Sequence, residues 1–95
     1  MQPEAEAPVT GTLLDTFRGH TNWVYGITLS PNGAVLYTAS WDGTARAWDT
    51  TTGESTFTFQ GHAQRVNGIT LAPNGAVLYT ASADRTARAW DTKTG

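Results

Sequence analysis

The chain has 95 residues, eight acidic and six basic side chains, a net charge of −2 and no cysteine. That balance excludes a broad nucleic-acid surface, which needs a basic stripe, and the absent thiols exclude a disulfide framework and thiol chemistry. No apolar run approaches membrane-spanning length and no secretory leader opens the chain, so a cytoplasmic protein is the expectation.

Residues 1–11 (MQPEAEAPVTG) are acidic, contain two prolines and have little to bury; they are expected to form a flexible leader. Thr12–Phe17 (TLLDTF) is short, β-leaning and flanked by glycines. A strand is expected at about Trp23–Leu29, with Val24, Ile27 and Leu29 as its apolar positions. Ser30-Pro31-Asn32-Gly33 is a turn, because proline presets one backbone angle and Asn-Gly tolerates left-handed ones. Strands follow at about Ala34–Ser40 and Thr44–Asp49, joined through Asp42-Gly43. Ser55–Phe59 alternates with period two. The last three strands are expected at about Arg65–Leu71, Ala76–Ser82 and Thr86–Asp91.

The second half restates the first with a period of 42 residues. Thr16–Gly53 aligns with Thr58–Gly95, and 29 of the 38 positions are identical. A period near 40–45 residues that opens on Gly-His and closes on Trp-Asp marks propeller blades. Gly19-His20 with Trp48-Asp49, and Gly61-His62 with Trp90-Asp91, carry that mark in both copies. The chain therefore resembles the WD40 β-propeller family throughout, apart from its leader.

The resemblance implies an all-β fold of four-stranded antiparallel blades, strands a to d from the inside out, arranged here as d-abc-d-abc. Thr12–Phe17 then matches an outer strand d, and the final three strands lack one. Residues 12–54 make an outer strand plus the first repeat, and residues 55–95 make the second repeat. The near-identity of the copies suggests recent amplification, or an excised or designed fragment.

His20, Ser40, Asp42 and Trp48, with His62, Ser82, Asp84 and Trp90, invite a hydrolase reading, since triads are defined by geometry rather than by order. The set occurs twice, however, and neither serine stands in the sharp turn that exposes a nucleophile. The resemblance implies instead a buried hydrogen-bond chain in each blade, running Asp to His to Ser to Trp. Each histidine is then committed to an aspartate, so no metal cluster and no cofactor is expected. Asp49 and Asp91 are expected to accept turn amides, with Arg46 and Arg88 adding a polar layer and modest ion pairing.

Six of the nine differences fall at the loop before strand a and at the b–c turn, which emerge on one rim. Among them Trp23, Tyr25 and Trp41 face Arg65, Asn67 and Arg85 at the diverged rim positions. Aromatics and arginines are enriched in binding hot spots, so this rim is a candidate surface for a peptide, protein or sugar. A tryptophan covering an arginine of the adjacent blade by cation–π contact is the competing reading.

Two blades cannot close a propeller, so the expected assembly is a non-enzymatic scaffold in which copies join head to tail. Thr12–Phe17 of one copy is expected to pair with Thr86–Asp91 of another. Such rings hold an even number of blades. A homotetramer of eight is expected, because six crowds the inner strands, with a homotrimer of six as the runner-up.

Overall fold

A computed structural model describes residues 11–95. The leader at 1–11 thus lies outside the described residues except for Gly11. Seven strands follow in chain order: β1 Val24–Leu29, β2 Val35–Ser40, β3 Ala45–Asp49, β4 Ser55–Phe59, β5 Val66–Leu71, β6 Val77–Ser82 and β7 Ala87–Asp91. They form two antiparallel meanders, β1-β2-β3-β4 and β5-β6-β7. The second sheet stops at three strands.

Local chemistry accounts for the hairpins. Asn32 Oδ1 accepts the Ala34 amide at 3.0 Å, and Gly33 takes φ 75°, the left-handed geometry that the β1–β2 turn requires. Gly43 turns β2 into β3 with φ 89°. Its counterpart Arg85 holds φ 73° and is the one non-glycine residue with positive φ among the described residues. The register shifts between Val24 and Gly26, and again between Val66 and Gly68, mark bulges that bend the start of each inner strand.

Within a single chain Thr12–Phe17 pairs with no strand; the pairing expected of it is with another copy. A strand exists only through its ladder, and the chain supplies no partner edge to this segment. Its position is nonetheless informative. Phe17 lies edge-on to Trp48 with ring centroids 5.8 Å apart, as Phe59 of β4 lies against Trp90 at 5.7 Å. A Cβ at Gly53 would meet the Asp15 carboxylate, and one at Gly95 would meet the Phe57 ring. Asp15 and Phe57 are one repeat apart, so the segment stands to the first sheet as β4 stands to the second.

The sheets stack face to face. Tyr37, Ala45, Ala47 and Phe59 from the first sheet form one core with Leu78, against which Ile69, Leu71 and Trp90 pack. Gly26 permits a close approach: a Cβ there would lie 2.8 Å from Ile69 Cγ2. The alanines of β3 suit this seam because larger side chains would hold the sheets apart. Each sheet thereby covers one face and leaves its other face open.

Candidate functional site

The inward faces of β2 and β6 carry a polar network, identical in each repeat. In the first, His20 Nδ1 lies 2.8 Å from Asp42 Oδ2 and His20 Nε2 lies 2.6 Å from Thr38 Oγ1. Trp48 Nε1 donates to the same Thr38 oxygen at 2.8 Å. In the second, His62 joins Asp84 at 2.8 Å and Thr80 at 2.7 Å, and Trp90 donates to Thr80 at 2.8 Å. With the imidazole neutral, Nδ1 donates to the carboxylate and Nε2 accepts from the threonine hydroxyl.

The hydroxyl linking histidine to tryptophan is therefore Thr38 or Thr80, not Ser40 or Ser82. Register explains the correction. Trp48 pairs with Leu36, so Thr38 is its diagonal neighbour, whereas Ser40 lies four residues along, roughly 13 Å at strand rise. Ser40 ties the turn instead: its Oγ accepts the Asp42 amide at 3.0 Å and donates to the Asn22 carbonyl at 3.3 Å. Ser82 does the same with the Asp84 amide and the carbonyls of Gln64 and Arg65. Ser40 is wholly buried, and its hydroxyl has no route to a substrate.

Asp42 collects further donors. Its Oδ1 accepts the Thr44 amide at 2.8 Å and hydroxyl at 2.6 Å, and Oδ2 accepts the Thr21 amide at 3.1 Å. Burial pushes its carboxyl up, but the donors from Thr44, His20 and Thr21 outweigh burial and hold it at about 2. Hydrogen bonding, led by the Thr86 hydroxyl, holds Asp84 well below the usual carboxylate range. The two threonines at 44 and 86 belong to the network and carry no mark in the repeat pattern beyond their recurrence.

Asp49 accepts the amides of Thr51 at 2.7 Å and Thr52 at 3.2 Å, and Asp91 accepts those of Lys93 and Thr94. The expected ion pairing of Arg46 and Arg88 is absent: among the described residues no arginine or lysine comes within ion-pair distance of a carboxylate, and only the two His–Asp contacts do. Arg46 lies against Gly19, and its buried Nε finds no hydrogen-bond partner. The loop before β1 leaves no carboxylate where the guanidinium arrives.

At the rim, Trp41 is the centre of a stack. Tyr25 lies parallel to it at 5.0 Å and 11°, Trp23 tilts against it at 4.9 Å, and the Arg65 guanidinium sits 4.9 Å from its ring centroid. Trp41 Nε1 is buried without a partner. Four of the six rim candidates thus converge, and Arg65 reaches across from the second sheet to do so. Asn67 and Arg85 are exposed on the second sheet outside this stack.

At the other rim a cleft of about 370 Å³ opens beside Pro31, Asn32, Tyr37 and Asn74, without a charged residue. No group of three potential metal ligands occurs among the described residues. No helix of the described residues is long and apolar enough to cross a membrane.

Curated relatives carry the same repeat. The chain is 49% identical over 41 residues to the small ribosomal subunit protein RACK1 of Candida albicans, covering 43% of this chain and 13% of that protein. It is 39% identical over 54 residues to the small ribosomal subunit protein RACK1y of rice (Oryza sativa subsp. japonica), covering 57% and 16%. With RACK1 of Saccharomyces cerevisiae it shares 44% over 45 residues, covering 47% and 14%. It thus spans a small fraction of the length of the relatives it matches. The family model described as WD domain, G-beta repeat matches residues 11–49 and 53–91. With both sheets matched and most of the sequence covered, the chain belongs to the WD40 family.

Proposed function

We propose that the chain is a non-enzymatic, two-blade unit that closes into a propeller with copies of itself and serves as a protein-interaction scaffold. One observation carries the reading: the two uncovered faces of the chain are the two halves of its own internal seam. In that seam the face of the second blade with Val66, Ile69, Leu71 and Leu78 packs on the face of the first with Tyr37 and Ala47. Outside it, the first blade exposes Val24, Ile27 and Leu29, which repeat the former, and the second exposes Tyr79, which repeats Tyr37. Such faces join head to tail, and the contact makes a ring when its rotation closes.

Thr12–Phe17, whose Phe17 lies against Trp48 as Phe59 of β4 lies against Trp90, would then pair with β7 of the neighbouring copy. Only even rings avoid an open face, and eight blades leave more room for the inner strands than six. Native mass spectrometry at micromolar concentration tests this: four chains of 10.2 kDa give about 41 kDa on cyclic closure. A dominant species of about 31 kDa, on the same logic of cyclic closure, would select the trimer, and a monomer would end the reading.

Trp23 is 64% exposed and Tyr25 56%, which supports a second reading in which the rim also takes a peptide or protein partner. On that reading Tyr25→Ala leaves the assembly intact and removes binding. Loss of assembly would place Tyr25 in the ring itself.

A further inference from the structure

The diverged rim positions are best understood as the two sides of two different seams, an inference that rests on the ring reading above. The internal seam supplies the template. Across it, Arg65 lies over Trp41, Ile69 fills the space at Gly26, and Pro31 comes 3.2 Å from the Cβ position of Gly75. A Cβ at Gly43 would lie 3.4 Å from the Gln64 carbonyl oxygen and 3.6 Å from that of His62.

Shifting each pairing by one repeat gives the seam between copies: Ala83 with the next copy's Trp23, Gly68 with its Ile27, Pro73 with its Gly33, and Arg85 with its His20 and Asn22 carbonyls. The receiving positions are open within the chain. A Cβ at Gly33 meets nothing within 4 Å, and one at Gly68 meets only Ala81 of its own sheet.

Below the rim the two seams use the same residues; at the rim they do not. The internal seam sets a bulky Trp41 and a bare Gly43 against Arg65. The seam between copies sets a small Ala83 and a long Arg85 against Trp23. We infer that the outer seam keeps the cation–π contact with its polarity reversed: Arg85 of one copy lies against the next copy's Trp23, in the space that Ala83 leaves.

Three observations support this. Trp23 tilts against Trp41 at 4.9 Å yet remains 64% exposed. Gly43 is buried against the second blade's loop carbonyls, whereas Arg85 stands exposed beside the small Ala83. Arg85 also keeps a side chain at φ 73°, a backbone region that a Cβ disfavours and where the first repeat has glycine. At that position its guanidinium donors reach both the indole face and the carbonyls of the adjoining loop.

A double-mutant cycle on the full chain tests the pairing, with native mass and dissociation on dilution as readouts. Arg85→Ala is expected to weaken association about two- to fivefold per seam, the range for a rim cation–π contact. Trp23→Ala should weaken it further, and the double variant no further still, because Arg85 then has no ring to lie on. Ala83→Trp alone should weaken association at least tenfold, on the order expected for overpacking a closed site. Adding Trp23→Arg and Arg85→Gly, which writes the internal seam into the outer one, should restore it.

If the Arg85 and Trp23 effects multiply independently, or if Ala83→Trp assembles as tightly as the parent, the seam inference is overturned while the ring stands. A parent chain that is monomeric overturns both.

Discussion

Val24 and Val66 hold the same place in two nearly identical repeats, yet Val24 is 51% exposed and Val66 is fully covered. Tyr37 and Tyr79 show the reverse asymmetry, at 4% and 45%. Ala45 and Ala47 are core residues, while Ala87 and Ala89 face outward. The polar networks, by contrast, match within a tenth of an ångström between the blades. The difference teaches that these repeats encode hydrogen-bonding geometry within a blade, but apolar burial only through a neighbour. This is the general condition of repeat folds, in which no single unit buries its own faces.

The strongest way to break the asymmetry is to remove the outer segment. A chain beginning at Gly19 is expected to lose the discrete oligomer and to aggregate, since β7 then keeps an unpaired edge. Size-exclusion chromatography with light scattering reads the outcome, and an unchanged oligomer would show that the segment does not seal the ring.

Core truncation sharpens the comparison. Leu78→Ala removes a fully buried side chain and should cost about 2–5 kcal/mol. Leu36→Ala, at the repeat-equivalent and half-buried position, should cost nearly as much in the assembled protein and much less in any isolated chain. Denaturant melts of both variants at high and low protein concentration separate the two cases.

The networks predict equality instead. Thr38→Val and Thr80→Val each strand a tryptophan N–H and a histidine nitrogen, at about 1–3 kcal/mol. His20→Ala and His62→Ala fall in the same range, because each strands the threonine and the aspartate. Ser40→Ala should instead loosen the turn and leave the indole's bond intact, a difference visible in tryptophan fluorescence.

The smallest effect is with pH. Asp42 titrates at about 2 in the fold against an ordinary 3.8, so its contribution is complete above roughly pH 4 and is lost as the pH falls toward 2. Asp84, also depressed, acts in the same direction. Asp42→Asn should flatten that acid limb, and an acid melt of unchanged shape would show that the carboxylate does not contribute.

Much of this was legible in residues alone. Gly-His and Trp-Asp at a fixed period located every strand to within a residue or so, because turn chemistry at Asn32-Gly33 and Asp42-Gly43 leaves little freedom in register. The linking hydroxyl was misread as Ser40, because two hydroxyls two residues apart share a face and only the pairing of Trp48 with Leu36 sets Thr38 beside the indole. Thr12–Phe17 was not legible as part of this chain's own sheet, since a strand is defined by its partner. Arg46 was misread as an ion-pairing residue because sequence spacing on β3 does not show which loop covers it.

Amide hydrogen exchange in β3 and β7 tests the central claim most directly. β3 is paired on both edges, by β2 and β4, whereas β7 is paired only by β6. If Thr12–Phe17 of another copy completes the second blade, the amides of Ala87–Asp91 should be protected to the same degree as those of Ala45–Asp49 in the assembled protein. Rapid exchange along the outer edge of β7, with β3 protected, would contradict the account even if the chains were found to associate.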